Sequence, residues 1–149
     1  MTPKVLLKRP TKEEFYKLVS RSDSESEDYK FLTNIQYCGD DPYQYLCKHA
    51  VEFVVGITDG LPIYMGSLLK IPKLGYALST LIEKDSKHQF SIYRYAKNTV
   101  KKWAKKYKVI YAANDKDNEK VINWIKRMGF VQDRIIYDSI ILRMEGKDV

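Results

Sequence analysis

One α/β (α+β) domain over residues 1–149, with a central mixed, mostly antiparallel sheet of roughly six to seven strands and about four flanking helices, is the fold the amino-acid sequence predicts. Three observations predict it. Val51 to Thr58 and Ile63 to Ile71 are rich in β-formers and flank Asp59-Gly60-Leu61-Pro62, a turn signal of the Asp-Gly type, so they read as a hairpin. Ser91 to Tyr107 sets Ile92, Ala96, Thr99, Val100, Trp103 and Tyr107 on one stripe at helical spacing, with lysines around it. Lys108 to Ala113, between that helix and the next, is nearly all apolar, as expected of a central strand buried on both faces.

From the N-terminus, Lys4 to Lys8 is a short apolar run halted by Arg9-Pro10. Thr11 then reads as an N-cap, with Glu14 three residues on to complete a capping box. Ser20 to Asp28 is polar and acidic and reads as a solvated loop before another helix. Tyr29 to Ala50 is interrupted by Gly39-Asp40-Asp41-Pro42, which leaves two short helical pieces, the second over Tyr43 to His49. After the hairpin, Tyr76 to Ile82 is a further strand, set off by Pro72 and Gly75. Asp117 to Met128 is a helix closed by Gly129, and Ile135 to Tyr137 with Ser139 to Met144 are the last strands.

Composition narrows the function classes. With 44% hydrophobic and 30% charged residues the chain is an ordinary globular protein rather than a disordered tail or fibrous repeat. Its formal charge of +7 favours anionic ligands or partners. The lysines of residues 97–108 read as a solvated helix face, with stems lying over apolar surface, rather than as a nucleic-acid interface. Cys38 and Cys47, with His49 nearby, fit no common zinc spacing, so no metal is expected and both read as reduced, part-buried thiols. No run is long and apolar enough to span a membrane, and the N-terminus lacks a signal-peptide hydrophobic region, which makes the cytoplasm the expected compartment.

Asn118-Glu119-Lys120-Val121-Ile122-Asn123-Trp124-Ile125-Lys126-Arg127-Met128-Gly129-Phe130 resembles a pattern of the GNAT (GCN5-related N-acetyltransferase) superfamily: an asparagine, an apolar helix face and a closing Gly-Phe. The predicted order of elements is also that of the superfamily. The resemblance implies an acyl-CoA-dependent N-acyltransferase, with acetyl-CoA as donor and an amine of a small molecule or protein as acceptor. It implies Leu81, Ile82, Lys87, His88, Gln89, Ser91 and Asn118 as acetyl-CoA-binding residues. Such a transfer needs a carboxylate or water to take the amine's proton and a backbone N–H to polarise the thioester carbonyl. Glu83 and Asp85 are the expected catalytic carboxylates, with Glu52 also near a strand start.

Two positions depart from the superfamily's pattern. Its phosphate-binding turn carries closely spaced glycines, whereas Asp85-Ser86-Lys87-His88-Gln89-Phe90-Ser91-Ile92 has none, and Phe90 and Ile92 are expected to crowd it. Its proton-donating tyrosine, four residues before the Gly-Phe glycine, is Ile125 here, which leaves Tyr93, Tyr95, Tyr111 or water for that role. In both respects the chain resembles the short, diverged GNAT-like proteins of tailed bacteriophages. That second resemblance implies an alternative: a non-catalytic phage protein acting on a protein partner in virion assembly or host interaction. Its location would be the cytoplasm of a bacterial host, or the virion.

Overall fold

The computed structural model describes residues 6–149, and the elements follow the expected order. Strand β1 (Leu6–Lys8) leads into helices α1 (Lys12–Val19), α2 (Glu27–Tyr37) and α3 (Pro42–His49). Strands β2 (Ala50–Thr58), β3 (Leu61–Ile71) and β4 (Gly75–Ile82) come next, then α4 (Gln89–Tyr107) and β5 (Val109–Asp115). The chain ends with α5 (Glu119–Arg127), β6 (Val131–Ile136), β7 (Ser139–Glu145) and a 3-10 turn. Of the expected first strand, Lys4 and Val5 lie outside the described residues.

The fold is α/β, with a seven-stranded mixed sheet in the order β1-β2-β3-β4-β5-β7-β6 and five α-helices among the described residues. β4 and β5 run parallel, while β1–β2, β2–β3, β5–β7 and β6–β7 are antiparallel. By contact density the chain forms two compact units. One runs to Leu69 and resumes over Ser79–Tyr95; the other comprises Lys70–Leu78 and Ala96–Val149.

In the first unit, α1 forms where the sequence signals it. Thr11 Oγ1 accepts the Glu14 N–H at 3.2 Å and the Thr11 N–H donates to Glu14 Oε1 at 2.8 Å, a complete capping box. Phe15 and Leu18 of this helix join Leu32, Ile35, Leu46, Phe53, Met65, Leu69 and Leu81 in one buried cluster. The β2–β3 hairpin turns on two residues, Asp59 at φ 50° and Gly60 at φ 75°, the paired left-handed geometry that matches strand twist. Leu61 and Pro62, expected in the turn, are already in β3, because a two-residue loop needs only Asp-Gly.

In the second unit, α4 buries Val100, Trp103 and Ala104 and leaves Lys102, Lys105 and Lys106 exposed. α5 buries Ile122 and Ile125 and stops at Gly129, whose φ of +119° an L side chain rarely adopts. The expectation that the 108–113 strand is buried on both faces is corrected. Ile110, Ala112 and Asn114 are buried, but the alternate residues Val109 and Tyr111 are half-exposed and Ala113 is exposed. The two thiols are free, with Cys47 half-buried as expected but Cys38 exposed, since it caps the C-terminus of α2 rather than facing the core.

Candidate functional site

β4 is less buried than its neighbour. β3 buries all eight residues from Pro62 to Leu69, yet β4 fully buries only Leu81 and leaves the rest of its length half-buried. Its registered pairing with β5 consists of Tyr76 with Ile110 and Ala77 with Tyr111.

The hydrogen bonds of the first unit show which way the rest of β4 points. Glu83 N–H donates to Ile63 O at 2.9 Å, so the odd-numbered N–H groups at this end of β4 face β3. Successive N–H groups of a strand face opposite edges, which turns those of Thr80 and Ile82 to the other edge. Lys84 N–H, also on that edge, donates to Arg21 O at 2.9 Å.

The Thr80 N–H meets a carboxylate. Asp28, in the first turn of α2, accepts it on Oδ2 at 3.1 Å, takes the Thr80 hydroxyl on the same oxygen at 3.4 Å, and takes the Ser79 hydroxyl on Oδ1 at 3.0 Å. Burial pushes the Asp28 carboxyl up to about 6, against the downward pull of these three hydrogen bonds, and neighbouring Glu27 adds to the upward push. Asp28 is therefore not in a solvated loop as expected. Ser26 caps α2, whose first turn carries Asp28 onto β4.

The expected catalytic carboxylates sit differently. Glu83 is ion-paired with Arg21, whose guanidinium also donates to Pro62 O at 3.3 Å. The Glu83 side chain is only 13% exposed, and its Oε2 holds the loop of residues 20–23, which forms an isolated bridge from Ser22 to Glu83. Asp85 is exposed in the turn after β4, at φ 55°. Glu52 is half-buried on β2.

Of the expected acetyl-CoA-binding residues, Leu81 turns its N–H to β3 and its side chain into the core, whereas Ile82 presents its N–H to the opposite edge. Ser86 is buried and its Oγ accepts the His88 N–H at 3.0 Å, which fixes the turn into α4. The N–H groups of Gln89, Phe90 and Ser91 begin α4 without intrahelical acceptors and form the positive end of a 19-residue helix. Lys87 and Gln89 are exposed and His88 half-buried at this terminus, while Ser91 is buried. Phe90, expected to crowd the turn, is 76% exposed; Ile92 is in the core.

In the second unit, Asn118 is the N-cap of α5, its Oδ1 accepting the Val121 N–H at 3.4 Å. Ile125 is buried on α5. Tyr93 and Tyr95 are half-buried on α4, and Tyr111 half-buried on β5. Among the described residues no group of three or more metal-ligating side chains occurs.

Sequence reasoning missed two residues. Asp28 gave no signal, because its partners lie 51 and 52 positions away. Asn114 on β5 is buried with its Oδ1 unpaired, and it lies just past the apolar run 108–113, where the sequence predicts this strand to end.

The arrangement as a whole is that of an α/β acetyltransferase fold of the GNAT type. No protein-family model and no curated protein sequence matches the chain. Solved structures do: the GNAT-family acetyltransferase from Bacillus anthracis superposes at a TM-score of 0.69 with 13% identity, over 99% of both chains. The PaiA N-acetyltransferase from Thermoplasma acidophilum, in complex with coenzyme A, matches at 0.68 with 13% identity over 95% of this chain and 99% of that one. YncA from Salmonella typhimurium, solved with its cofactor acetyl-CoA, matches at 0.61 with 10% identity, over 95% of this chain and 94% of its own. At these identities the likeness establishes the fold.

Proposed function

We propose that the chain binds an acyl-CoA and transfers its acyl group to an amine. The observation that carries this reading is the edge of β4 that faces away from β3: Asp28 takes its Thr80 N–H, and the Ile82 N–H points the same way along a strand less buried than its neighbour. An amide or thioester carbonyl is a natural acceptor for the Ile82 N–H. The α4 terminus, with Lys87 and Gln89 exposed beside its first N–H groups, is suited to phosphate even without glycines. A bound acyl-CoA would supply the activated carbonyl; the chain's own residues would orient it on β4 and accept a proton. The reading carries with it a cytoplasmic location.

A second reading, a non-catalytic phage protein of this fold acting on a protein partner in virion assembly or host interaction, is favoured by buried Ile125 where the superfamily's pattern has a proton donor. One titration tests both. Acetyl-CoA at millimolar concentration should raise the melting temperature, because a ligand well above its dissociation constant stabilises the fold it binds. No shift, with none by calorimetry, removes the first reading and leaves the second.

A further inference from the structure

We infer that Asp28 is the general base of the proposed acyl transfer, the group that takes the proton from the attacking amine. This rests on the acyl-CoA reading and assigns a residue to it. Asp28 is the carboxylate held against the edge of β4 that faces away from β3, with Thr80 N–H at 3.1 Å and Ser79 Oγ at 3.0 Å fixing its orientation. A carboxylate has about four lone-pair sites. Oδ2 accepts from Thr80 N–H and Thr80 Oγ1, while Oδ1 accepts from Ser79 alone, so Oδ1 keeps capacity for one more donor. Its elevated ionisation, near 6, leaves it mostly charged at neutral pH and more basic than a solvated aspartate.

The alternatives are poorer. Glu83 is committed to Arg21, and Asp85 stands exposed in the following turn with no anchoring contact on β4. The chemistry balances with Asp28 as acceptor. The amine nitrogen bonds to the thioester carbonyl carbon and the carbon–sulfur bond breaks. The thiolate leaves with that electron pair, and the proton lost by nitrogen passes to Asp28 and then to the thiolate or solvent.

The test uses the full chain with acetyl-CoA and three amines, hydroxylamine, spermidine and a lysine-bearing peptide, with released thiol followed against pH. Asp28→Asn should bind acetyl-CoA within about threefold of the parent yet lose roughly 10²–10⁴ in kcat, the usual scale of general-base catalysis. It should also lose the ionisation near 6 from the kcat/KM profile, and Asp28→Glu should recover part of the rate. An Asp28→Asn variant that keeps both the rate and the pH profile overturns the assignment. So does absence of thiol release from all three amines by a parent protein that binds acetyl-CoA, an outcome that leaves the binding reading standing. Failure to bind acetyl-CoA overturns both.

Discussion

Asp28→Asn should make the protein more stable at neutral pH, and the size of the gain follows from the carboxylate's surroundings. The Asp28 carboxyl is raised from 3.8 to about 6 by burial, so the fold prefers the protonated form. Folding stability from this group is therefore complete below about pH 4 and lost as pH rises through 6. A rise of roughly two pKa units corresponds to about 3 kcal/mol, and the residue keeps some solvent contact, so about 1.5–3 kcal/mol is expected above pH 7. Asparagine keeps the shape and carries no charge. Its carbonyl can take the Thr80 N–H while its amide donates to the Ser79 hydroxyl, which can turn to accept. Urea unfolding at pH 4 and pH 7.5 measures the effect: the two proteins should be equally stable at pH 4. At pH 7.5 the variant should lead by about 1.5–3 kcal/mol, roughly 3–10 °C in Tm. A variant that is less stable at pH 7.5, or whose advantage does not change with pH, would refute the reasoning.

Two further substitutions probe the scaffold. Gly129→Ala should cost about 1–2 kcal/mol by chemical denaturation, because φ at +119° disfavours a side chain and the added Cβ would stand 3.2 Å from the Met144 methyl. Thr11→Ala should cost about 1 kcal/mol through loss of the capping box on α1, with acetyl-CoA binding unchanged by calorimetry.

Much of the scaffold is legible because its signals are local. Thr11 and Glu14 meet within one helix turn, Asp59-Gly60 sets its own backbone geometry, and Gly129 supplies the left-handed residue that ends α5. The site is less legible because its contacts are distant. Asp28 stands among Asp23, Glu25 and Glu27 in a stretch without apolar periodicity, and nothing local separates it from the exposed acids beside it. Only the chain reversal that brings α2 onto β4 does so. Glu83 shows the converse: a carboxylate at a strand end looks available in sequence, but Arg21, 62 positions away, takes it up.

That ion pair bears on Asp28. Arg21 and Ser22 are tied to Glu83 and Lys84 by the ion pair, the isolated bridge and the Lys84 N–H to Arg21 O bond, which fixes the start of the loop leading to α2. A few residues on, Ser26 caps that helix and its first turn sets Asp28 on Thr80. Glu83 thus holds the start of the segment that carries the carboxylate. Glu83→Gln should cost about 1 kcal/mol directly, since glutamine keeps an acceptor for Arg21 but not the charge. It should also loosen the turn, letting water reach Asp28 and bringing its ionisation back toward the ordinary aspartate range. The two effects separate in a double-mutant cycle at pH 7.5. If Glu83 positions Asp28, the gain from Asp28→Asn shrinks by about 1 kcal/mol in the Glu83→Gln background; if the two changes add within about 0.3–0.5 kcal/mol, Glu83 only anchors the loop and Asp28 holds its place on β4 by its own hydrogen bonds.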